Sequence, residues 1–256
     1  MSHYVDLNSD LGESFGNYTV GMDGEVLNHV TSANVACGWH AGDPLIMDAT
    51  VRMCKKKGVA VGAHPGYPDL MGFGRRAMAV NPAEAKAYMI YQVGALQAFC
   101  DSYGVTLQHM KLHGAFYNTA CVTPALADAV LDGLQAVNPN IAAMVLSGSY
   151  IAKEAERRGI PVIQEVFADR GYTDEGTLVP RTEPGAFIKD PQEALERVLM
   201  MVTEGKVVTN TGNTIDIVAD SVCVHGDNPE AIAFTNYIRE GLTKAGVTVA
   251  NFQNRK

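Results

Sequence analysis

Short apolar and β-branched runs alternate with longer stretches of helical periodicity from one end of the chain to the other. Strands are predicted over Tyr4 to Asn8, Ser32 to Cys37, Val59 to Ala63, Gln108 to His113, Ala142 to Leu146, Val162 to Phe167, Thr214 to Val218 and Ser221 to His225. Thr248 to Phe252 reads as a last short strand or an edge extension. A helix is predicted over Pro44 to Lys57, with Asp43 as its N-cap, Pro44 at its first position and Gly58 ending it. Pro82 to Tyr103 repeats that punctuation with Asn81 and Gly104. Pro124 to Ala136, Tyr150 to Arg158, Pro191 to Glu204 and Pro229 to Ala245 are further helices. No linker, repeat or low-complexity stretch interrupts the series, so residues 1–256 read as one domain of repeated βα units.

Seven or eight strands, each followed by a crossover, close into a barrel or lie open as a doubly wound sheet; both put ligands at the strand C-termini. Polar residues end nearly every run, rather than only those flanking one switch point, which favours a (β/α)7-8 barrel with a ring of convergent side chains.

Composition agrees with a large enclosed core: 47% of residues are hydrophobic and 19% charged. A formal net charge of -8 disfavours nucleic acid and anionic lipid as partners and points to a small-molecule substrate. The five cysteines form no CxxC pair and sit in or beside apolar runs, and the opening residues are too polar for a signal peptide, so a reducing cytoplasm is expected. No apolar stretch approaches the roughly 20 residues of a membrane span.

The chemistry is concentrated where strands end. Alternation puts Asp6, Asn8 and Asp10 on one face of the first strand, with Glu13 just beyond, and polar side chains inside a barrel are costly unless they bind something or one another. Asn34 lies in the second strand, and His40 follows on a loop between Gly38 and Gly42; Cys37 and His40 have the spacing of metal ligands, a weak signal by itself. His64 ends the third strand, and the glycine-rich loop beyond it carries Arg75 and Arg76, suited to an anion. Lys111 and His113 alternate onto one face of the fourth strand, ahead of Asn118, and a lysine inside a strand needs an anionic partner. Glu165, Asp169 and Arg170 end the sixth strand, Arg181 follows in the next loop, and His225 and Asp227 end the last. Histidines and carboxylates in such a ring fit general acid-base or metal-assisted attack of water. There is no HExxH, no phosphate loop (Met22 stands where its lysine should be) and no Gly-x-Ser-x-Gly elbow.

Taken together, DLNSDLGESFG (Asp6 to Gly16), ANVACGWHAGDP (Ala33 to Pro44), GAHPGYPDLMGFGRR (Gly62 to Arg76), KLHGAFYN (Lys111 to Asn118), EVFADRGY (Glu165 to Tyr172) and VHGD (Val224 to Asp227) resemble the LamB/YcsF family. The blocks keep the family's order across nearly the whole chain; Leu112 and Phe116 depart conservatively from its Lys-Pro-His-Gly-Ala-Leu-Tyr-Asn block. The resemblance implies an irregular (β/α) barrel similar to those of glycoside hydrolases and deacetylases. It further implies cleavage of 5-oxo-L-proline to L-glutamate coupled to hydrolysis of ATP, a co-substrate accompanied by Mg2+. The implied partners are 5-oxoprolinase subunits B and C, with room for a homo-oligomer and no tightly bound organic cofactor.

On that footing Asp10, His64, Lys111, His113 and Asp169 are the expected catalytic residues, with Asp10, His64 and His113 positioning or deprotonating water. Asn8, Glu13, Asn34, His40, Arg75, Asn118, Glu165, Arg170 and His225 are expected to hold substrate or phosphate. The rival readings are a stand-alone amide or ester hydrolase with a divalent metal on Asp10, His40 and His64, and a noncatalytic subunit that holds a small acid for its partners.

Overall fold

The computed structural model describes residues 3–226 and 228–252; Asp227, among the residues singled out by sequence, lies outside them. Seven parallel strands close on themselves in the order β1 (Tyr4–Leu11), β2 (Ser32–Ala36), β3 (Ala60–His64), β4 (Leu107–Met110), β5 (Ala142–Leu146), β6 (Val162–Phe167) and β9 (Ser221–Cys223), with β9 pairing back onto β1. The closed seven-stranded parallel barrel agrees with the expected fold class. The run at Thr248 is the edge extension: β10 (Thr248–Val249) pairs parallel with Tyr4 and Val5 of β1.

Helices α2 (Pro44–Lys57), α3 (Pro82–Ser102), α5 (Pro124–Val137), α6 (Tyr150–Arg157), α7 (Pro191–Glu204) and α8 (Pro229–Lys244) match the expected segments to within a residue or two at each end. Their caps follow the local chemistry. Asp43 accepts from the backbone N–H groups of Leu45 and Ile46, and Gly58 closes α2 in the left-handed region at φ 68°. Asn81 and Glu84 form a reciprocal capping box at the start of α3. Met47, Thr50, Val51 and Cys54 give α2 one buried stripe at helical spacing.

Two short helices, α1 (Asp23–Val26) and α4 (Gly114–Val122), were not foreseen. The run at Thr214 corrects another expectation. Its β8 (Thr214–Asp216) pairs antiparallel with β7 (Lys206–Val208) in a separate hairpin, and its residues are largely exposed. The β-branched run satisfied strand propensity without the two-sided burial that a barrel strand requires.

Register explains why the lumen is polar. Paired residues in parallel strands share a face, and Asp6, Asn8 and Asp10 of β1 align with Ser221, Cys223 and Asn34; Asn34 aligns with Gly62, and Gly62 with His109. The opposite faces carry Val5, Leu7, Val35, Val61, Ala63, Met110, Val166 and Val222, which join the main apolar core against the helices. A separate apolar cluster of Ala142, Met144 and Ile163, with Phe252 packed on it, sits on the inward faces of β5 and β6. Gly62 lets the His109 ring of the neighbouring strand lie over it toward Asn34: a Cβ there would lie 2.0 Å from His109 Nε2. We therefore expect Gly62→Ala to destabilise the fold by about 1–3 kcal/mol through overpacking, measured by denaturant unfolding. An unchanged midpoint would contradict this packing.

Candidate active site

Because every barrel strand runs the same way, the residues at their C-terminal ends meet at one mouth, around a cavity of about 690 Å³. Asp10, Glu13, His64, Arg75, Lys111, His113, Asn118, Arg170 and His225 all line it. The remaining expected residues stand behind this surface. Asn8, Asn34, His40 and Glu165 are fully buried beneath or beside it, and Asp169 supports His225 by an ion pair of 2.9 Å. His225 outweighs burial in holding the Asp169 carboxyl below its usual range.

The floor is a charged network centred on Lys111. Its ammonium lies 3.0 Å from Asp10 Oδ1 and 2.7 Å from Glu165 Oε1, and it reaches Asn8 Oδ1 at 3.2 Å and Cys223 Sγ at 3.1 Å. Burial would push the lysine pKa down, but Asp10, Cys223 and Glu165 outweigh it and hold the ammonium well above its ordinary value. Asp10 is likewise drawn well below the usual carboxylate range by His64 and Lys111, against the opposing effect of burial. Both therefore carry charge at neutral pH.

A second layer fixes these groups. Asn34 Nδ2 donates to Asn8 Oδ1 at 2.8 Å and Asp10 Oδ1 at 2.9 Å, while Tyr117 donates its hydroxyl to Glu165 Oε2 at 2.8 Å. Asp6 accepts from the hydroxyls of Thr31, Ser32 and Ser221 below the floor, which gives it a structural place. His109 Nε2 contacts Asn34 Oδ1 at 2.7 Å, and burial, reinforced by Lys111, pushes its pKa to about 3.

Four side chains gather beside the floor. His64 Nε2 lies 3.3 Å from Asp10 Oδ2 and 2.9 Å from His113 Nδ1. His40 stacks on His113 with ring centres 3.7 Å apart and sends Nε2 to within 3.1 Å of Glu13 Oε1. Burial pushes His40 and His113 well below the usual histidine value, whereas Asp10 overcomes burial and raises His64. One ligand-capable atom from each of Glu13, His40, His64 and His113 lies within 4.8 Å of the other three. Among the described residues this group, and not the expected trio of Asp10, His40 and His64, has metal-site geometry. Asp10 instead divides its two oxygens between Lys111 and His64. Cys37 is also excluded: its thiol contacts the Val35 carbonyl oxygen at 3.2 Å within the apolar core.

The cationic wall differs in part from expectation. Arg75 faces the cavity over the Phe73 ring, but Arg76 turns away to Asp69, so the adjacent arginines do not act as a pair. Arg170 spends Nε and Nη2 on the carbonyl oxygens of Ala186 and Val179, at 2.9 and 2.6 Å, which ties down the loop carrying Arg181. Arg181 also lines the cavity. Lys111 and His113 lie beyond the end of β4 at Met110, yet Lys111 N donates to Ala63 O and His113 N to Pro65 O, which continues the alternation and keeps both side chains facing the mouth. Tyr117 and His109 were missed by sequence reasoning; the one-face alternation of His109, Lys111 and His113 is the signal that would have found His109.

The sequence profile of the LamB/YcsF family matches residues 5–256. The chain is 60% identical over 249 residues to the A subunit of 5-oxoprolinase from Fusobacterium nucleatum subsp. nucleatum, covering 97% of both chains. It is 54% identical over 245 residues to the protein of the same name from Pyrococcus horikoshii, covering 96% of each. A solved lactam utilization protein from Thermus thermophilus superposes with a TM-score of 0.92 at 45% identity, over 97% of this chain and 100% of that one. A GH113 beta-1,4-mannanase, at 10% identity and a TM-score of 0.51 over 93% of this chain and 99% of that one, shares the barrel fold alone.

Two outcomes follow from the buried network. Lys111→Met strands Asp10 and Glu165 without their cation and is expected to cost about 3–5 kcal/mol in denaturant unfolding; a loss below about 1 kcal/mol would contradict the ion-pair geometry. His109, neutral when folded, must gain a proton on unfolding once pH falls below about 6.5. Stability from this group is thus present above that pH and is lost on acidification toward about 3, the folded value. Relative to His109→Gln, the unmodified chain should lose about 1.4 kcal/mol per pH unit between about pH 6 and 4; parallel stability curves for the two proteins would contradict it.

Proposed function

The chain belongs to the LamB/YcsF family, and from that premise we propose that it is the A subunit of a 5-oxoprolinase that opens 5-oxo-L-proline to L-glutamate with hydrolysis of ATP. The observation that carries this reading is the cavity itself, with the Lys111–Asp10 ion pair and His64 at its floor and Arg75 and Arg181 on its wall. The names borne by the similar proteins, the A subunit of 5-oxoprolinase and a lactam utilization protein, support it. The word subunit in the first of those names agrees with assembly into a larger complex, for which 5-oxoprolinase subunits B and C are the partners we propose.

A five-membered lactam resists hydrolysis because its amide is resonance-stabilised and its carbonyl oxygen leaves poorly. In the proposed sequence that oxygen attacks the γ-phosphorus of ATP, accompanied by Mg2+; the new O–P bond forms as the β–γ bridging bond breaks, and ADP takes the electron pair. Water adds to the activated carbon of the imidate phosphate while its proton passes toward Asp10, which His64 and Lys111 hold in place. Collapse breaks the C–N bond, the ring nitrogen takes up a proton, and γ-glutamyl phosphate is left for a second water to hydrolyse to glutamate and phosphate. Arg75 and Arg181 hold the substrate carboxylate or the phosphoryl oxygens. Lys111 keeps Asp10 ionised and aimed, and its charge stabilises negative charge developing at the floor. Two of the three donor-bearing nitrogens of Arg170 are bound to its own loop, so its part is to position that wall.

The test is 5-oxoproline-dependent release of ADP and glutamate by the chain mixed with subunits B and C. Asp10→Asn should lower kcat about 10²–10⁴-fold, the range for loss of a general base, and Arg75→Ala should act chiefly on KM. Full turnover by Asp10→Asn would overturn the role of the floor, and glutamate release without ADP formation would overturn the coupling.

A further inference from the structure

The four side chains beside the floor are arranged in a way that acid-base chemistry at Asp10 does not require. His64 Nδ1 lies 2.8 Å from the Lys111 carbonyl oxygen, and His113 Nε2 lies 2.8 Å from that of Phe73. A carbonyl oxygen only accepts, so both of these nitrogens carry a proton. In the neutral rings the lone pairs are therefore left on His64 Nε2 and His113 Nδ1, which face each other at 2.9 Å. Glu13 Oε1 adds a further acceptor 3.5 Å from His113 Nδ1 and 3.1 Å from His40 Nε2. Such a convergence of acceptors calls for positive charge among them. A single shared proton serves only the His64–His113 pair, whereas a cation between them also takes Glu13 Oε1 and, with the His40 proton on Nδ1, the lone pair of His40 Nε2.

We propose that Glu13, His40, His64 and His113 bind one divalent transition ion of the Zn2+ or Co2+ type at the side of the cavity. Metal–ligand bonds of about 2.0–2.1 Å in a tetrahedral site put ligand atoms about 3.3 Å apart, and the observed 2.9, 3.1 and 3.5 Å bracket that spacing. The backbone carbonyls that fix the His64 and His113 tautomers from behind are outer partners of the kind metal-binding histidines use, while His40 is held by its stacking on His113. Glu13, His64 and His113 line the cavity, and fully buried His40 closes the back. Three imidazoles with one carboxylate select transition ions over Mg2+, which prefers oxygen ligands, so this site is distinct from the magnesium that accompanies a nucleotide. Close packing enforces the geometry: Gly74, at φ +62°, would as alanine bring its Cβ within 2.8 Å of both the His113 ring and His40 Cβ. The proposal stands on these contacts and not on the lactam reading, and its test requires no turnover.

The dialysed, metal-free full-length chain is titrated with Co2+ and followed by visible d–d absorption. The expected result is a band that saturates at one equivalent per chain and is displaced by Zn2+. His64→Gln and His113→Gln should each weaken the dissociation constant at least about 10–100-fold, while His29→Gln, away from the cluster, leaves it unchanged. Ligand identity is read independently on the unmodified protein, where Co2+ should shift the carbonyl-bonded imidazole N–H protons of His64 and His113 far outside the diamagnetic range. Absence of a saturable band, absence of both shifted protons, or undiminished binding by His64→Gln and by His113→Gln would overturn the site. None of these results bears on ATP-coupled glutamate formation, which is assayed separately.

Discussion

The structure depends on keeping one ammonium ion charged inside a barrel. Lys111 is 2% exposed and sits between Asp10 and Glu165 in a lumen reached from the mouth of the fold. A lone buried cation would be neutralised or expelled, so the surrounding strands must supply anions and oriented dipoles. β1 supplies Asn8 and Asp10, β2 supplies Asn34 and β6 supplies Glu165, all on the inward face set by the parallel register. The apolar core is accordingly displaced to the outside of the barrel, between strands and helices. Such a network is a poor device for stability, since a well-packed apolar core of the same volume would serve as well or better. Its retention makes sense as preorganised charge beneath a cavity.

The same constraint organises the mouth. Asp10 links the ammonium to His64, and His64 links the floor to the histidine and glutamate cluster, so the two halves of the cavity share one side chain as a hinge. Arg75 and Arg181 then bring positive charge to the cavity wall. An acidic protein with a formal net charge of -8 thus presents a locally cationic wall over an ion-paired floor. Overall charge told against polyanions as partners, while the local arrangement suits a small acid.

Much of this was legible in the chain because parallel strands convert sequence position into spatial position. Polar residues ending successive apolar runs had to converge, and Asp10, His64, Lys111, His113 and His225 all line the cavity. What stayed hidden was pairing across the lumen. Nothing in the letters separates Arg75 from Arg76, yet one faces the cavity and the other binds Asp69. Asp10 looked like a metal ligand beside His40 and His64 until the lysine from another strand was seen to claim it, leaving Glu13 and His113 to complete the cluster. Thr214 to Asp216 has the composition of a barrel strand but lies in an exposed hairpin, because propensity carries no information about which surface covers a run. Cys223 read correctly as a small buried side chain, and burial holds its thiol well above the ordinary value; its place against Lys111 depends on register that the chain does not spell out.

A crystal structure of the chain with 5-oxo-L-proline decides whether the proposed lactam acid is held and opened at the ion-paired floor. The ring carbonyl should lie over the Lys111, Asp10 and His64 floor, with the carboxylate toward Arg75 or Arg181. A fully occupied ligand bound elsewhere on the protein, or one whose carbonyl points away from that floor, would contradict it.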